Sequence, residues 1–175
     1  MTGYDWIVLT MAFVHDLSVA VYVGGAVAME FVLAPAQASI PPAQAQIMGE
    51  KTSNRFLVLV WVSLALILIT GVLRLQMNGM LNSDGLSMAD SYGRTLWVMF
   101  GIWVVLVING GLISFIFRPT LQGKLQPGSN QALVTQDRDA KMKAATWIQH
   151  LTRADLVLAV IVTLLGASLV RGGLL

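Results

Sequence analysis

Hydrophobic residues are concentrated in four long stretches of the chain, and polar residues collect in the segments between them. A helix needs about 20 apolar residues to cross the hydrocarbon core of a bilayer, which is about 30 Å thick. No stretch alternates apolar and polar positions as a membrane β-strand does. The pattern therefore predicts an all-α integral membrane four-helix bundle, one transmembrane domain over residues 1–175, with helices over about 6–37, 52–77, 92–117 and 141–170.

Prolines and polar turns separate the predicted helices. Pro35 and the following pair Pro41-Pro42 are expected to end the first helix, because proline lacks an N–H and clashes with the preceding turn. A turn is predicted over 82–85, and Pro119 is expected to close the third helix. The first apolar run is too long for a signal peptide and has no basic residues before it. We therefore expect it to remain as the first membrane helix.

Composition supports the membrane class and removes several kinds of chemistry. The chain is 56% hydrophobic and 11% charged, whereas an ordinary soluble domain is about 25% charged. Cysteine is absent, which excludes disulfides, thiolate metal sites and cysteine nucleophiles. The net charge of +2 does not indicate a nucleic-acid partner, because the basic residues follow the predicted membrane topology. The expected partner is the lipid bilayer.

Lysine and arginine are distributed unequally between the two sides of the predicted bundle. Seven basic residues lie on the side of the first and third loops and three on the other side. Cytoplasmic loops carry the excess of Lys and Arg. We therefore predict both termini on the outer side of a bacterial-type inner (cytoplasmic) membrane, which the chain crosses as a multi-pass protein. The seven are Lys51, Arg55, Arg118, Lys124, Arg138, Lys141 and Lys143, and the three are Arg74, Arg94 and Arg171.

The first helix carries the candidate metal ligands. At 100° per residue, Met11, His15 and Tyr22 share one helix face. Imidazole with a thioether neighbour suits Cu(I), and imidazole alone suits haem iron. His15 and Met11 are therefore candidate metal ligands, with Tyr22 or Asp16 as a neighbouring or additional cofactor contact. The alternative is a histidine that hydrogen-bonds to another helix while the methionine only packs.

His150 is the second histidine, and the predicted topology places it near the cytoplasmic start of the fourth helix. His15 enters the membrane from the opposite face, so the two side chains lie at different depths. One small metal ion cannot bind both. A single haem held between the two histidines would require strong helix tilt, and His150 is more simply explained as an interfacial residue.

Two carboxylates of the first helix need partners, because charged groups inside a membrane are costly. Asp16 lies toward the outer face and Glu30 toward the inner face. One interpretation is ion pairing with arginines of other helices, and the other is a polar route for a proton or ion. The same two interpretations apply to Asp155 of the fourth helix. The candidate basic partners are Arg55, Arg74, Arg94 and Arg153.

The segment from His15 through Tyr22 to Gly24-Gly25, followed by Pro35, resembles the first helix of the CopD-like copper-resistance membrane proteins. Arg55-Phe56, Thr70-Gly71 and the terminal Arg171 add looser similarities. The resemblance implies a four-helix unit that handles copper, or by kinship haem, with His15 as the ligand.

HemJ-type protoporphyrinogen oxidases have a similar spacing of histidine and aromatic residue, but three positions depart from their pattern. Tyr22 stands where tryptophan is usual, Met29-Glu30 replaces a proline-arginine pair, and Arg94 is the nearest equivalent of a lysine. These departures argue against protoporphyrinogen oxidation.

The sequence therefore predicts a membrane protein that binds haem b or copper through His15, for electron transfer or copper handling. No phosphate loop, Ser-His-Asp arrangement or zinc-ligand spacing is present, so no catalytic residue is assigned and the chain is not expected to be an enzyme on its own. The alternative is a cofactor-free accessory subunit of a larger, respiratory-type membrane complex. Faces of small residues on the helices are compatible with a homodimer or with such a complex.

Overall fold

The computed structural model describes residues 3–81, 86–123 and 130–175, and within these ranges the chain is helical and contains no β-strand. The described residues include four spans that are long and apolar enough to cross a membrane, Gly3–Ala38, Ala43–Met77, Ser91–Gln122 and Gln131–Leu169. The predicted all-α membrane fold with four spans is confirmed. The side on which the termini lie stays a prediction.

Two of the four spans are interrupted by a π-helical turn. The first span consists of α1 (Gly3–Ala28), a π-helical segment (Met29–Leu33) and α2 (Ala34–Ala38), and the second is α3 (Pro42–Met77). The third consists of α4 (Ser91–Leu112), a second π-helical segment (Ile113–Phe117) and α5 (Arg118–Gln122), and the fourth is α6 (Gln131–Leu169).

The first span ends at Ala38, one residue from its predicted end and before Pro41-Pro42, although Pro35 lies inside it. The prediction that Pro119 closes the third helix is wrong, because that helix continues to Gln122. Both Pro35 and Pro119 follow a π-helical segment. The residue before each proline donates its N–H to a carbonyl five residues back, Ala34 to Met29 and Arg118 to Ile113. The extra residue in this turn gives the proline ring room that a regular α-helix would deny it.

Two helices begin about ten residues before their predicted starts, α3 at Pro42 instead of 52 and α6 at Gln131 instead of 141. The hydropathy pattern reports only the membrane-crossing part, whereas these helices continue into their polar flanks. Asn130 caps α6, because its side-chain oxygen accepts a 2.9 Å hydrogen bond from the backbone N–H of Leu133. The turn predicted over 82–85 and the basic residue Lys124 lie outside the described residues.

The core of the bundle is small and lies where all four spans meet. Tyr22, Leu64, Leu106 and Ala159 form it, one residue from each span. Trp103 ties α4 to α3 beside this core, because its indole N–H donates to the carbonyl of Leu64 at 3.1 Å. Large apolar side chains are exposed on the outside of every span, as expected for helices that lipid tails surround. Examples are Phe31, Val58, Phe115 and Leu164.

Candidate metal-binding site

His15 reaches from α1 to α3, where its Nδ1 lies 2.9 Å from Oγ1 of Thr70. Thr70 is 3% exposed, so this contact is buried between the two helices. The Thr70 hydroxyl also lies 2.5 Å from the carbonyl oxygen of Leu66, one turn earlier in α3. A threonine in a helix commonly donates to that carbonyl. The imidazole of His15 thus hydrogen-bonds to a hydroxyl that is itself hydrogen-bonded to the backbone of α3.

These two contacts favour one assignment of the proton on the imidazole of His15. A threonine hydroxyl has one hydrogen, and here that hydrogen is donated to Leu66. The oxygen of Thr70 therefore accepts from His15, which requires the proton on Nδ1. In a neutral imidazole the other nitrogen then has a free lone pair. His15 presents Nε2 as a metal ligand or hydrogen-bond acceptor.

Gly71 of α3 is a neighbour of the imidazole. A Cβ atom at this glycine would stand 3.5 Å from Cε1 of His15, which is ordinary van der Waals contact, so the site has room for a methyl group here. Met11 is half-buried and lies one turn before His15 on α1. A thioether and an unprotonated imidazole nitrogen thus occupy one helix face.

Tyr22 is not brought to His15. It is 6% exposed and packs in the core with Leu64, Leu106 and Ala159. Seven residues separate it from His15, which corresponds to about 10 Å along a helix. The structure therefore gives Tyr22 a packing position and leaves Met11 as the nearer of the two predicted neighbours of His15.

One end of the bundle, where α3 nears its C-terminus, contains the Asp16–Arg74 pair. Nη1 of Arg74 lies 3.6 Å from Oδ1 of Asp16, and the Asp16 side chain is 75% exposed. Arg94 lies elsewhere, because its guanidinium donates to the carbonyl oxygens of Met88 and Ala89, just before α4. Of the three arginines on the predicted outer side, Arg74, Arg94 and Arg171, the structure brings Arg74 to the carboxylate of Asp16.

The opposite end of the bundle contains the Glu30–Arg153 pair. Nε of Arg153 donates to Oε1 of Glu30 at 2.7 Å, and the Glu30 side chain is 18% exposed. Arg55 is exposed on α3, and the pairing partner of Glu30 in the structure is Arg153. This ion pair joins the first span to the fourth and fixes their relative height.

The Glu30–Arg153 pair shows that the two histidines lie far apart along the bundle axis. His15 lies fifteen residues before Glu30 on the first span, which is about 22 Å along a helix. His150 is exposed, and it precedes Arg153 on α6, so it lies at the level of Glu30 or beyond it. A metal ion contacts ligand nitrogens at about 2 Å. The two histidines therefore cannot ligate one ion, and the bis-histidine haem is excluded by this spacing.

Thr70 is the site residue that the sequence does not single out as a contact of His15. The two residues are 55 positions apart, so only the packing of α1 against α3 brings them together. The available signal is a threonine-glycine pair inside an otherwise apolar helix, since a polar residue there needs a partner and a glycine permits close approach. Such a pair indicates a contact without saying which residue makes it.

Asp155 and Asn109 form a second polar contact inside the bundle. Nδ2 of Asn109 on α4 donates to Oδ1 of Asp155 on α6 at 2.7 Å. Asparagine in the middle of an apolar helix is the sequence signal for a contact across the bundle. On α6 this contact lies between Arg153, two residues before Asp155, and the core residue Ala159.

The donor set around His15 is sparse. Across residues 3–81, 86–123 and 130–175, no three His, Cys, Asp or Glu side chains are grouped so that they could hold a metal ion. Thioether ligands such as Met11 do not belong to that set of residue types. Besides the nitrogen of His15, the thioether of Met11 lies one turn away on the same helix, and this pair of donors suits Cu(I) better than a hard divalent cation.

Comparison with known protein families gives one match. The family model of CopD, copper resistance protein D, matches residues 50–169. The matched range covers α3 from Glu50 onward and all of α4, α5 and α6, and it includes Arg55-Phe56 and Thr70-Gly71. His15 and the rest of the first span lie before it. No curated protein and no solved structure gives a significant match to the chain.

Proposed function

Because the chain belongs to the copper resistance protein D family, as a multi-pass membrane protein, we propose that it handles copper through His15. In this proposal Nε2 of His15 binds Cu(I) as cargo in the outer half of the bundle. The orientation of the His15 imidazole carries the proposal. Its Nδ1 lies 2.9 Å from Oγ1 of Thr70, and the assignment of the proton to Nδ1 makes Nε2 the nitrogen that would carry the lone pair for the metal.

The sparse donor set favours passage of copper over its storage. A resident metal is held by three or four strong ligands, whereas a site that must release its ion does better with fewer. His15 and Met11, one helical turn apart, offer one nitrogen and one sulfur. Imidazole and thioether are both ligands that Cu(I) accepts. We place this transfer in a bacterial-type inner membrane, with His15 toward the outer face.

Copper binding by the purified protein tests the proposal. We expect the wild-type chain to bind Cu(I) under reducing conditions with a chelator as competitor. His15→Ala should lower the bound copper to the level of a blank sample. His150→Ala is the matched control, because it also removes one imidazole and should leave the binding unchanged. Circular dichroism and gel filtration in detergent should show that both variants are folded.

Two other outcomes would replace the proposal by another function. A Soret band in protein expressed with haem supplied, lost in His15→Ala, would indicate haem b and electron transfer. Wild-type protein that binds neither Cu(I) nor haem would instead support the cofactor-free subunit of a larger membrane complex. Equal copper loss in His15→Ala and His150→Ala would show that the imidazole of His15 is not a specific ligand.

A further inference from the structure

Among the acidic residues that the structure describes, Asp155 is the most buried, and it lies in the middle of α6. It is 9% exposed, and its Oδ1 accepts a 2.7 Å hydrogen bond from the amide of Asn109. Asp16 of α1 and Glu30 of the first π-helical segment each lie beside an arginine. Asp155 differs from both because its partner is neutral.

No described cation is placed to neutralise Asp155. In the parts of the chain that the structure covers, no lysine, arginine or histidine nitrogen lies within 4.0 Å of its carboxylate. The nearest arginine along α6 is Arg153, which donates to Glu30. From α5, Arg118 donates to the side-chain oxygen of Asn54 on α3. Both arginines are therefore engaged elsewhere.

The groups that face Asp155 from the remaining neighbouring helices are also uncharged. From α1, Tyr22 is close enough to interact electrostatically with Asp155. From α4 the neighbour is Asn109, whose side-chain amide donates to the carboxylate. His150, one turn before Arg153 on α6, is exposed.

An ionised carboxylate in such surroundings is strongly disfavoured. A buried charge needs an opposite charge or several hydrogen bonds, and inside a membrane the group otherwise becomes neutral. A carboxylate has about four lone-pair positions to satisfy, whereas the neutral acid has a hydroxyl and a carbonyl oxygen that accepts. The single N–H donated by Asn109 matches the carbonyl oxygen of the neutral acid.

We propose that Asp155 carries a proton in the resting protein and is a proton-binding site within the membrane domain. When the proton leaves for water, the site holds an uncompensated negative charge, which can be neutralised by re-protonation or by a cation. Asp155 lies on α6 where it contacts Asn109 of α4, so a change in its charge acts on the contact between these two helices. The proposal does not depend on copper binding at His15.

Infrared spectroscopy of the purified protein in nanodiscs tests the proposal directly. We expect a carboxylic-acid C=O band at neutral pH that shifts downward in D₂O and is absent in Asp155→Asn. Asp16→Asn is the matched control, because Asp16 is exposed and lies beside Arg74, so the band should survive this substitution. A wild-type protein without the band at neutral pH, or a band that persists in Asp155→Asn, would overturn the proposal.

A second variant keeps the test valid if Asp155→Asn does not fold. Asn109→Leu removes the hydrogen bond to the carbonyl oxygen and keeps a side chain of similar volume. The C=O band should then move to higher frequency, because a carbonyl without a hydrogen bond has a stiffer bond. An unchanged band in folded Asn109→Leu would assign the protonated acid to another residue and refute the proposal.

Discussion

Thr70, on α3, is placed to orient the imidazole of His15, which lies on α1. A histidine that binds a metal through one nitrogen commonly donates the N–H of the other to an oxygen, and that bond sets both the tautomer and the ring orientation. Here the oxygen is Oγ1 of Thr70, which lies 2.9 Å from Nδ1 of His15. The Thr70 hydroxyl donates its own hydrogen to the carbonyl oxygen of Leu66. Loss of the hydroxyl would leave the imidazole free to rotate or to change tautomer.

Thr70→Val should therefore weaken Cu(I) binding by about 10- to 100-fold, the range found when such supporting contacts are removed from metal sites. Valine has nearly the shape of threonine, so the helix packing should be kept. Thr70→Ser is the matched control, because it retains the hydroxyl and should bind within a few-fold of wild type. A chelator competition on the three proteins measures the difference. Equal affinities for valine and serine variants would show that the hydroxyl does not position His15.

The two membrane carboxylates of the first span show that burial decides what an ion pair is worth. Asp16 is 75% exposed and 3.6 Å from Arg74, and such surface pairs contribute about 0–1 kcal/mol. Glu30 is 18% exposed and accepts from Arg153 at 2.7 Å. The Glu30–Arg153 pair therefore matters more for the register of the bundle, since its carboxylate has little access to water.

At the scale of helices, the first span depends on one glycine for its contact with α3. A Cβ atom at Gly25 would stand 2.6 Å from Cε2 of Phe56, so the ring or the helix would have to move. At the neighbouring Gly24, nothing lies within 4 Å of such an atom. The pair Gly24-Gly25 thus contains one packing glycine and one free position.

Gly25→Ala should lower the free energy of unfolding by about 1–3 kcal/mol, the usual cost of overpacking. Gly24→Ala should have little effect or be slightly stabilising, because alanine is the better helix former. Thermal unfolding of both variants in the same detergent measures the contrast. If the two substitutions gave the same midpoint, α1 and α3 would not approach each other at Gly25 as the structure shows.

The sequence predicts the spans better than their ends. Apolar length identifies all four spans, because crossing a bilayer demands it. The ends at Pro35 and Pro119 are not predictable from proline alone, since a π-helical segment before each one removes the clash. The starts at Pro42 and Gln131 lie in polar sequence, where hydropathy gives no signal and local caps such as Asn130 decide.

The same division holds for the candidate site. His15 is predictable because an imidazole inside an apolar helix needs a partner. Its partner Thr70 is not, because the contact joins residues 55 positions apart through the packing of two helices. Tyr22 shares the helix face of His15 in the sequence, yet the meeting of four spans places it in the core. Periodicity gives the face of a helix, and tertiary packing decides what that face meets.

At the scale of the whole molecule, α6 is longer than a membrane requires. Its 39 residues correspond to about 58 Å, against a hydrocarbon core of about 30 Å. The apolar part ends near its C-terminus, so the polar first half projects beyond the membrane on one side. That half contains Arg138, Lys141 and Lys143, and Lys141 pairs with Asp137 at 2.8 Å. The side of this projection is therefore the side of the excess basic charge.

The side of the membrane on which this projection lies can be determined by thiol labelling, because the chain contains no cysteine. Gln136→Cys places one thiol at an exposed position of the projecting half of α6, and Met88→Cys places one at an exposed position before α4. The excess of Lys and Arg predicts that Gln136 is cytoplasmic and Met88 external. In intact cells an impermeant maleimide should therefore label Met88→Cys and leave Gln136→Cys unlabelled, whereas both should react after the cells are opened. The opposite pattern would invert the topology and move His15 to the cytoplasmic half, where it would receive copper from inside the cell.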